Sequence, residues 1–414
     1  MSLALTGGNP AVTLKPYPWP IIGEEEIPWM EEVIRSGKWS WMGPHETAFT
    51  EDFRQFLGAN YAMCVSNGTV SIQCALQAVG VQPGDEVIVP GLTWVATAQA
   101  ALDIGAQVVL ADIDPETLVL DPDAVAAAIT PRTRAIIPVQ LYGCMCDMDA
   151  LGELAQKHDL KIVEDVAHQH GSQWRGVGAG ALGDAGSFSF QQSKVLTSGE
   201  GGFITCRDEA AFQVAFALKQ VGWSPPPEMK PAGHYGHNYR ITEMQCVLLR
   251  GGLSRLPEQT ERRDANAQAF AAGLEKLGGP LRAARRDPRV TRQAYYAMAL
   301  VFDPDQAEGL TRAQYQQALA AEGCSVGETY EPVYRNPLLN LYDQTSPIPY
   351  RQTVPQDYAN LSLPGCEQAK NETALLLFHT HLLSEPEYMQ QLLEAVAKVN
   401  GALGEVKQHF DSSP

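Results

Sequence analysis

Seven short apolar runs between residues 61 and 206 constrain this chain more than any other feature. They are Tyr61–Val65, Glu86–Val89, Gln107–Ala111, Ala135–Val139, Leu160–Val163, Gly186–Phe190 and Gly202–Cys206. Helical patterns fill several of the gaps, at Val70–Val79, Thr97–Ile104, Pro122–Ile129 and Met148–His158. Strands this apolar are buried on both faces. Alternation with helices therefore predicts an α/β unit: a mostly parallel, mixed seven-stranded sheet covered by helices. A chain of 414 residues exceeds one typical core, so a second unit is expected. A helix from Thr242 to about Ala272 carries the chain out of the first unit, and Tyr296–Phe302, Thr311–Glu322 and Pro386–Leu403 form a smaller α/β unit. The expected division is an N-terminal segment 1–22, a large domain 23–255 and a small domain 256–414. The loop Ser224–Pro227 marks a long connection, either mobile or set at a subunit interface.

Ligands of such sheets bind outside the carboxyl ends of the strands. Two residues there are chemically pointed. Lys194 follows the run Ser187–Phe190 and has no charged neighbour from Ser187 to Gly199. A lysine in a partly dry pocket has a depressed pKa, and its amine can form a Schiff base. The carbonyl compound most often found opposite such a lysine is pyridoxal 5′-phosphate (PLP). Asp165 ends the run Leu160–Val163–Glu164, where a carboxylate could hold a pyridinium nitrogen protonated.

The remaining parts of a cofactor site are present but weaker singly. Ser66-Asn67-Gly68-Thr69 joins a strand to a helix, so backbone N–H groups and the Thr69 hydroxyl could cradle a phosphate. The same four residues also make an ordinary turn and N-cap. Ser189, five residues before Lys194, could add a second hydroxyl. Trp94 could wall a ring, although a lone tryptophan after a strand is more often core or lid. A metal site at Asp165, His168 and His170 ranks well below the cofactor, because no Cys/His spacing completes the ligand set.

Thr69, Trp94, Asp165, Ser189 and Lys194 stand in the order of the fold-type I PLP enzymes. More narrowly the chain resembles the DegT/StrS sugar aminotransferases. The resemblance rests on Ser66–Thr69, Glu164–His168, Phe188–Phe190 before Lys194, Gly199–Gly202 and His237–Glu243, and runs from about Pro18 to about Leu383. It implies an aminotransferase in which Gly68, Thr69, Trp94, Asp165, His168, Ser189, Lys194 and Asn238 bind PLP and Lys194 and Asp165 act in the reaction. It further implies a homodimer with shared active sites, Asn238 reaching the partner's cofactor. A finer similarity is to the glutamine:inosose aminotransferases. It is carried by Trp19-Pro20, Gln191–Gly202, Arg292–Tyr296, Asn336–Leu338 and His379–Leu383. The chain departs from the family at Gln140, where Pro-Val-His is usual. It departs again at His168, where the inosose enzymes often carry glutamine and the amino-hydroxybenzoate synthases histidine.

The expected acceptor is accordingly the ketone of a cyclitol such as scyllo-inosose or its 2-deoxy form, with glutamine or glutamate as donor. Gln140, Tyr142, His168, Gln191 and His381 are candidate partners for its hydroxyls. A nucleotide-linked keto-sugar would instead need cations for its diphosphate, which the run Arg282, Arg285, Arg286, Arg289 and Arg292 could offer. A dehydratase of the same family would typically carry histidine in place of Lys194. A regulatory PLP-binding protein lacks support, since no appended DNA-binding helix pair is visible. The net charge of −18 opposes nucleic-acid binding. Met1–Ala4 starts no secretory signal and no run is long enough for a membrane helix, so a cytoplasmic enzyme is expected. The eight cysteines show no C-x-x-C pair and read as reduced core thiols, with Cys144 and Cys146 the two that could lie exposed in a turn.

Overall fold

The computed structural model describes residues 2–343, 345 and 356–412. Its centre is a seven-stranded sheet: β1 (Tyr61–Val65), β2 (Glu86–Pro90), β3 (Gln107–Ala111), β4 (Thr133–Ile136), β5 (Lys161–Asp165), β6 (Ala185–Ser189) and β7 (Gly202–Cys206). The spatial order is β1-β7-β6-β5-β4-β2-β3. Six strands run parallel and β7 runs against both its neighbours. Every residue of β2, β3 and β7 is buried, as a sheet covered on both faces requires.

The covering helices are short, and four of them begin with side-chain caps. Helix α1 spans Glu26–Ser36, α2 Pro44–Leu57, α3 Gly68–Ala78, α4 Ala96–Asp103, α5 Pro122–Ala128, α6 Met148–His158 and α7 Glu209–Lys219. Asn67, Asp121, Asp147 and Asp208 each accept a backbone N–H at the start of their helix, satisfying donors that have no intrahelical partner. On one side of the sheet Phe49 and Phe53 of α2 meet Phe188, Phe190 and Phe203 edge-on or tilted, with ring centroids 5.0–5.9 Å apart.

Helix α8 (Glu243–Leu277) is the connection between two cores. Thr242 caps it, exchanging hydrogen bonds with Gln245. Cys246, Leu249, Leu253 and Leu256 pack into the large core; Ala267, Phe270 and Leu274 pack into a second one. The helix runs five residues beyond the expected Ala272, passing through Gly273 and ending at the C-cap Gly278. The second core holds a three-stranded antiparallel sheet of β8 (Leu281–Ala283), β9 (Ala297–Phe302) and β10 (Ala374–Phe378). Helix α9 (Arg312–Ala321), α10 (Pro364–Gln368), α11 (His379–Leu382), α12 (Pro386–Asn400) and α13 (Leu403–Ser412) complete the chain. Gly401 separates α12 from α13, so the expected helix to Leu403 is two helices. Leu3 and Val12 are also buried in this second core.

All eight cysteines are free and buried. Cys144 and Cys146, the two that could have lain exposed in a turn, are enclosed, and burial pushes the Cys144 thiol up to about 12. Among the described residues no helix is long and apolar enough to cross a membrane.

Candidate active site

The carboxyl ends of the parallel strands open into a cavity of about 660 Å³. The loops after β1, β2, β5 and β6 all deliver side chains to it, and Tyr296 and Tyr330, which follow α8 in the chain, close it. Asn67, Gly68, Thr69, Trp94, Asp165, His168, Ser189, Gln191 and Lys194 all lie on its wall.

Close backbone approach builds one end. Asn67 Oδ1 accepts the Val70 N–H at 3.0 Å, leaving the first turn of α3 directed at the cavity. A Cβ on Gly68 would stand 2.7 Å from Ser189 Cβ, and one on Gly202 would stand 2.3 Å from the Asn67 carbonyl oxygen. Only glycine fits at either position, and the two together bring the α3 N-terminus, the Thr69 hydroxyl and the Ser189 hydroxyl to one wall. Such an arrangement suits an anion.

Asp165 is the last residue of β5 and is buried. Its Oδ2 accepts the Thr97 hydroxyl at 2.8 Å and its Oδ1 the Ala167 N–H at 3.1 Å. Burial raises its pKa, while those two hydrogen bonds and the nearby Lys194 charge act the other way. The Lys194 turn is held by Lys194 N–H to the Gln191 carbonyl (2.9 Å) and Gln192 N–H to the Gly199 carbonyl (2.8 Å). Lys194 Nζ lies 4.6 Å from the centre of the Tyr296 ring. Burial lowers its pKa to about 8, opposed by the Asp165 carboxylate.

His168 stacks on Tyr296 with ring centres 4.0 Å apart. Its Nδ1 accepts the Tyr142 N–H at 3.2 Å, so Nε2 carries the proton of the neutral ring. Burial first, then the charges of Lys194 and His170, hold its pKa well below the usual histidine value. His170 turns away from His168 and puts Nε2 on the Ser189 carbonyl at 2.9 Å. Among the described residues no three His, Cys, Asp or Glu side chains are placed to hold a metal.

Three candidate substrate residues do not join this wall. Gln140 is fully buried: its oxygen accepts the Cys146 N–H at 2.8 Å and its amide lies 3.2 Å from the Glu164 carboxylate. It therefore braces the loop between β4 and α6. Tyr142 spends its hydroxyl on Thr329 Oγ1 (3.0 Å) and the Tyr330 N–H (3.1 Å). His381 pairs with the Tyr388 hydroxyl at 2.6 Å, within the second unit. Gln191 does line the cavity, but its amide oxygen is held by the Ser193 N–H and hydroxyl, so its NH2 group is what it offers. Asn238 is exposed and absent from this chain's cavity wall.

Sequence reasoning missed Thr97, Tyr296 and Tyr330. Thr97 carried a usable signal, lying one helical turn past Trp94. Tyr296 belongs to the Arg292–Tyr296 run already singled out, without a role. Tyr330 comes from a stretch with no local mark and is placed only by tertiary contact, its ring 5.5 Å from Trp94 and 5.6 Å from Tyr142.

Residues 20–376 match the model of the DegT/DnrJ/EryC1/StrS aminotransferase family. A Streptomyces kanamyceticus protein assigned as an L-glutamine:3-amino-2,3-dideoxy-scyllo-inosose aminotransferase is 40% identical over 98% of each chain. The L-glutamine:2-deoxy-scyllo-inosose aminotransferase of Micromonospora echinospora is 36% identical over 96% of this chain and 97% of its own. The crystal structure of 3-amino-5-hydroxybenzoic acid synthase superposes with a TM-score of 0.81 at 29% identity, covering 95% of this chain and 100% of the other.

Proposed function

The chain belongs to the DegT/DnrJ/EryC1/StrS aminotransferase family, and from that premise we propose that it carries an amino group from L-glutamine to the ketone of a free six-membered cyclitol, scyllo-inosose or a deoxy form of it, with PLP as cofactor. The observation that carries the choice of acceptor is the charge on the cavity wall. Among the described residues Lys194 is the only lysine or arginine there, while seven hydroxyl-bearing residues, two amides and the His168 imidazole share the wall. A neutral polyol is met by such groups; a diphosphate would call for paired cations. The names of the inosose relatives at 40% and 36% identity support the same choice over the hydroxybenzoate synthase at 29%.

The residues fit PLP by their chemistry: a helix N-terminus with two hydroxyls, a buried carboxylate and a partly buried amine line one cavity. Gly68, Thr69 and Ser189 would hold the phosphate, Asp165 the pyridine nitrogen, Trp94 a face of the ring and Lys194 the carbonyl carbon, with His168 beside it. When bound, PLP supplies an electron sink for a carbanion next to nitrogen.

The chain's own groups do the rest. With its pKa near 8, Lys194 presents the neutral amine in about a tenth of molecules at pH 7, against fewer than about one in a thousand for an ordinary lysine. That amine is the group that would hold the cofactor, and once released from it the same Nζ would take a proton from the donor's α-carbon. Asp165, braced by Thr97 and Ala167, would keep a proton on the cofactor's ring nitrogen. Tyr296, Tyr330 and the neutral His168 crowd water away and offer hydroxyl and N–H partners to a polyol.

We place a second copy of the chain against Asn238. Trp39, Trp41, Val221, Trp223 and Tyr235 are all more than two-fifths exposed in the single chain. Arg240 lies over Trp41, and Gln220 pairs with Asn238, so these residues adjoin one another. An apolar patch of that kind suits a homodimer interface. Mixing inactive Lys194→Ala and Asn238→Ala proteins should restore activity through the one intact site of each mixed dimer; no recovery after verified exchange would return Asn238 to its own subunit. For the reaction itself, the decisive experiment is mass spectrometry of products from free inososes and nucleotide-linked keto-sugars, each with glutamine and with glutamate. Faster turnover of a nucleotide-linked ketone than of any inosose would overturn the acceptor and leave the aminotransferase standing.

A further inference from the structure

Behind Lys194 lies a buried set of side chains to which the reading above gives no part. His379 opens α11 and is almost fully buried. Its backbone N–H donates to the Tyr296 carbonyl at 3.0 Å, and its ring Nε2 lies 3.1 Å from the carbonyl oxygen of Ser193, the residue before the reactive lysine. Ser193 Oγ in turn lies 3.2 Å from the Tyr296 hydroxyl, and the Tyr296 ring is the one under Lys194 Nζ. Three residues thus close a ring of hydrogen bonds beside the amine.

The tautomer this requires is fixed from outside. Arg263 of α8, 1% exposed, puts Nη2 3.5 Å from His379 Nδ1. A guanidinium can only donate, so Nδ1 is the acceptor and Nε2 carries the hydrogen given to Ser193. Trp19 covers the pair, its ring 4.8 Å from the imidazole edge-on and 5.4 Å from the guanidinium carbon. Burial and the Arg263 charge hold the imidazole near a pKa of about 3, so it stays neutral at every working pH. Asn266, three residues after Arg263, ties down the far end of α11 through the Leu382 and Ser384 carbonyls (2.8 and 2.9 Å).

We propose that His379, oriented by Arg263 and Trp19, is a positioning residue that sets the Ser193–Lys194 peptide against Tyr296 and so fixes where the reactive amine stands. The inference rests on the PLP reading. It gives the second unit and the N-terminal segment a direct hold on the lysine of the first.

The test uses the PLP-loaded protein and two readouts: the pH midpoint of its visible absorbance band, and the single-turnover rate with glutamine. His379→Phe keeps the ring and loses the donor. It should move the midpoint by about half a pH unit or more and slow the single turnover about ten- to hundredfold. His379→Gln, which retains an N–H donor, should recover most of both. Should His379→Phe not fold, Arg263→Met frees only the Nδ1 side, with a smaller effect expected on the same two readouts. A merely structural strut would lower the melting temperature and leave midpoint and single-turnover rate at wild type, and that result would overturn the proposal. Absence of any visible band in the wild type would instead bring down the PLP reading, and this inference with it.

Discussion

The cavity and the arginine run from residue 282 to 292 both concentrate ionisable side chains, yet they compensate charge differently. In the run, Arg282 meets Glu116 and Arg285 meets Asp114, each at 2.6 Å. Arg286 pairs with Asp264, and Arg289 bridges Asp147 and Asp287 at 2.7 and 2.6 Å. Arg292 gives its Nε hydrogen to the Gly171 carbonyl at 2.6 Å and lies over Phe56. In the cavity, Asp165 is held by neutral donors, and its influence on Lys194 is exerted without a direct ion pair. Paired charge near water is settled charge. Charge left in a dry place without a contact partner has a shifted pKa and is available for chemistry.

The largest effect that could break this contrast is at Lys194. Lys194→Ala should lower transamination below about one ten-thousandth of wild type while the protein still binds PLP non-covalently. Borohydride reduction of the loaded wild type should label the peptide containing Lys194; label on Lys161 or Lys219 would end the assignment. Next comes Asp165→Asn, which keeps the shape and removes the charge. Losing an ionic partner to a charge-bearing transition state costs on the order of 3–5 kcal/mol, or about two to four powers of ten in rate. Near-normal turnover would make the carboxylate a brace for Thr97 and Ala167 and nothing more.

The contrast sharpens at a third place, where charge is dry but paired. Lys219 Nζ and Glu46 Oε1 are 2.6 Å apart and both side chains are buried. Lys219→Met leaves the buried Glu46 carboxylate without its cation, with the Met42 N–H still on Oε2, and should cost about 3–5 kcal/mol of stability. Turnover per folded molecule should barely change. A loss of kcat with unchanged melting temperature would show that burial alone, not lack of a partner, marks the chemistry.

How much of this was legible in the sequence follows the same division. The sheet was readable because strands buried on both faces must be apolar throughout, as Val87–Val89 and Val108–Leu110 are. Lys194, Asp165, Thr69 and Ser189 were readable because each sits where a strand ends, and topology sends all parallel strand ends to one edge. Gln140, Tyr142 and His381 lie off the cavity wall because a polar side chain beside a cavity in sequence can turn inward to satisfy a buried neighbour. Gln140 does so with Glu164, and Tyr142 with Thr329. Tyr330 had no local mark, since its place depends on tertiary packing against Trp94 and Tyr142.

A smaller effect tests the sign of the Lys194 shift. Its ammonium holds a proton up to about pH 10.5 in the unfolded chain but only to about 8 in the folded one. Below 8 the folded protein therefore bears the full cost of a buried cation. Between 8 and 10.5 the unfolded chain binds more protons, and stability from this group rises with pH. Lys194→Met should raise the melting temperature of the cofactor-free protein at pH 7, by about 1–3 kcal/mol in stability, with the gain vanishing near pH 10.5. An equal gain at both pH values would assign it to packing instead.

The smallest expected effect is in the arginine run, and it bears on the substrate. Arg282 and Arg285 are about half and two-thirds exposed, and their partners Glu116 and Asp114 remain accessible to water when released. Such pairs are worth about 0.2–1 kcal/mol each, so Arg282→Ala with Arg285→Ala should lower the melting temperature by a degree or two at most. Turnover should be unchanged with an inosose and with a nucleotide-linked keto-sugar, because neither residue lines the cavity. If the run instead reads a diphosphate, the double variant should raise KM for the nucleotide-linked ketone alone, in a manner that added salt reproduces in the wild type. A selective rise of that kind would transfer the arginines from settled charge to recognition, and would move the acceptor from a free ring to a nucleotide-linked one.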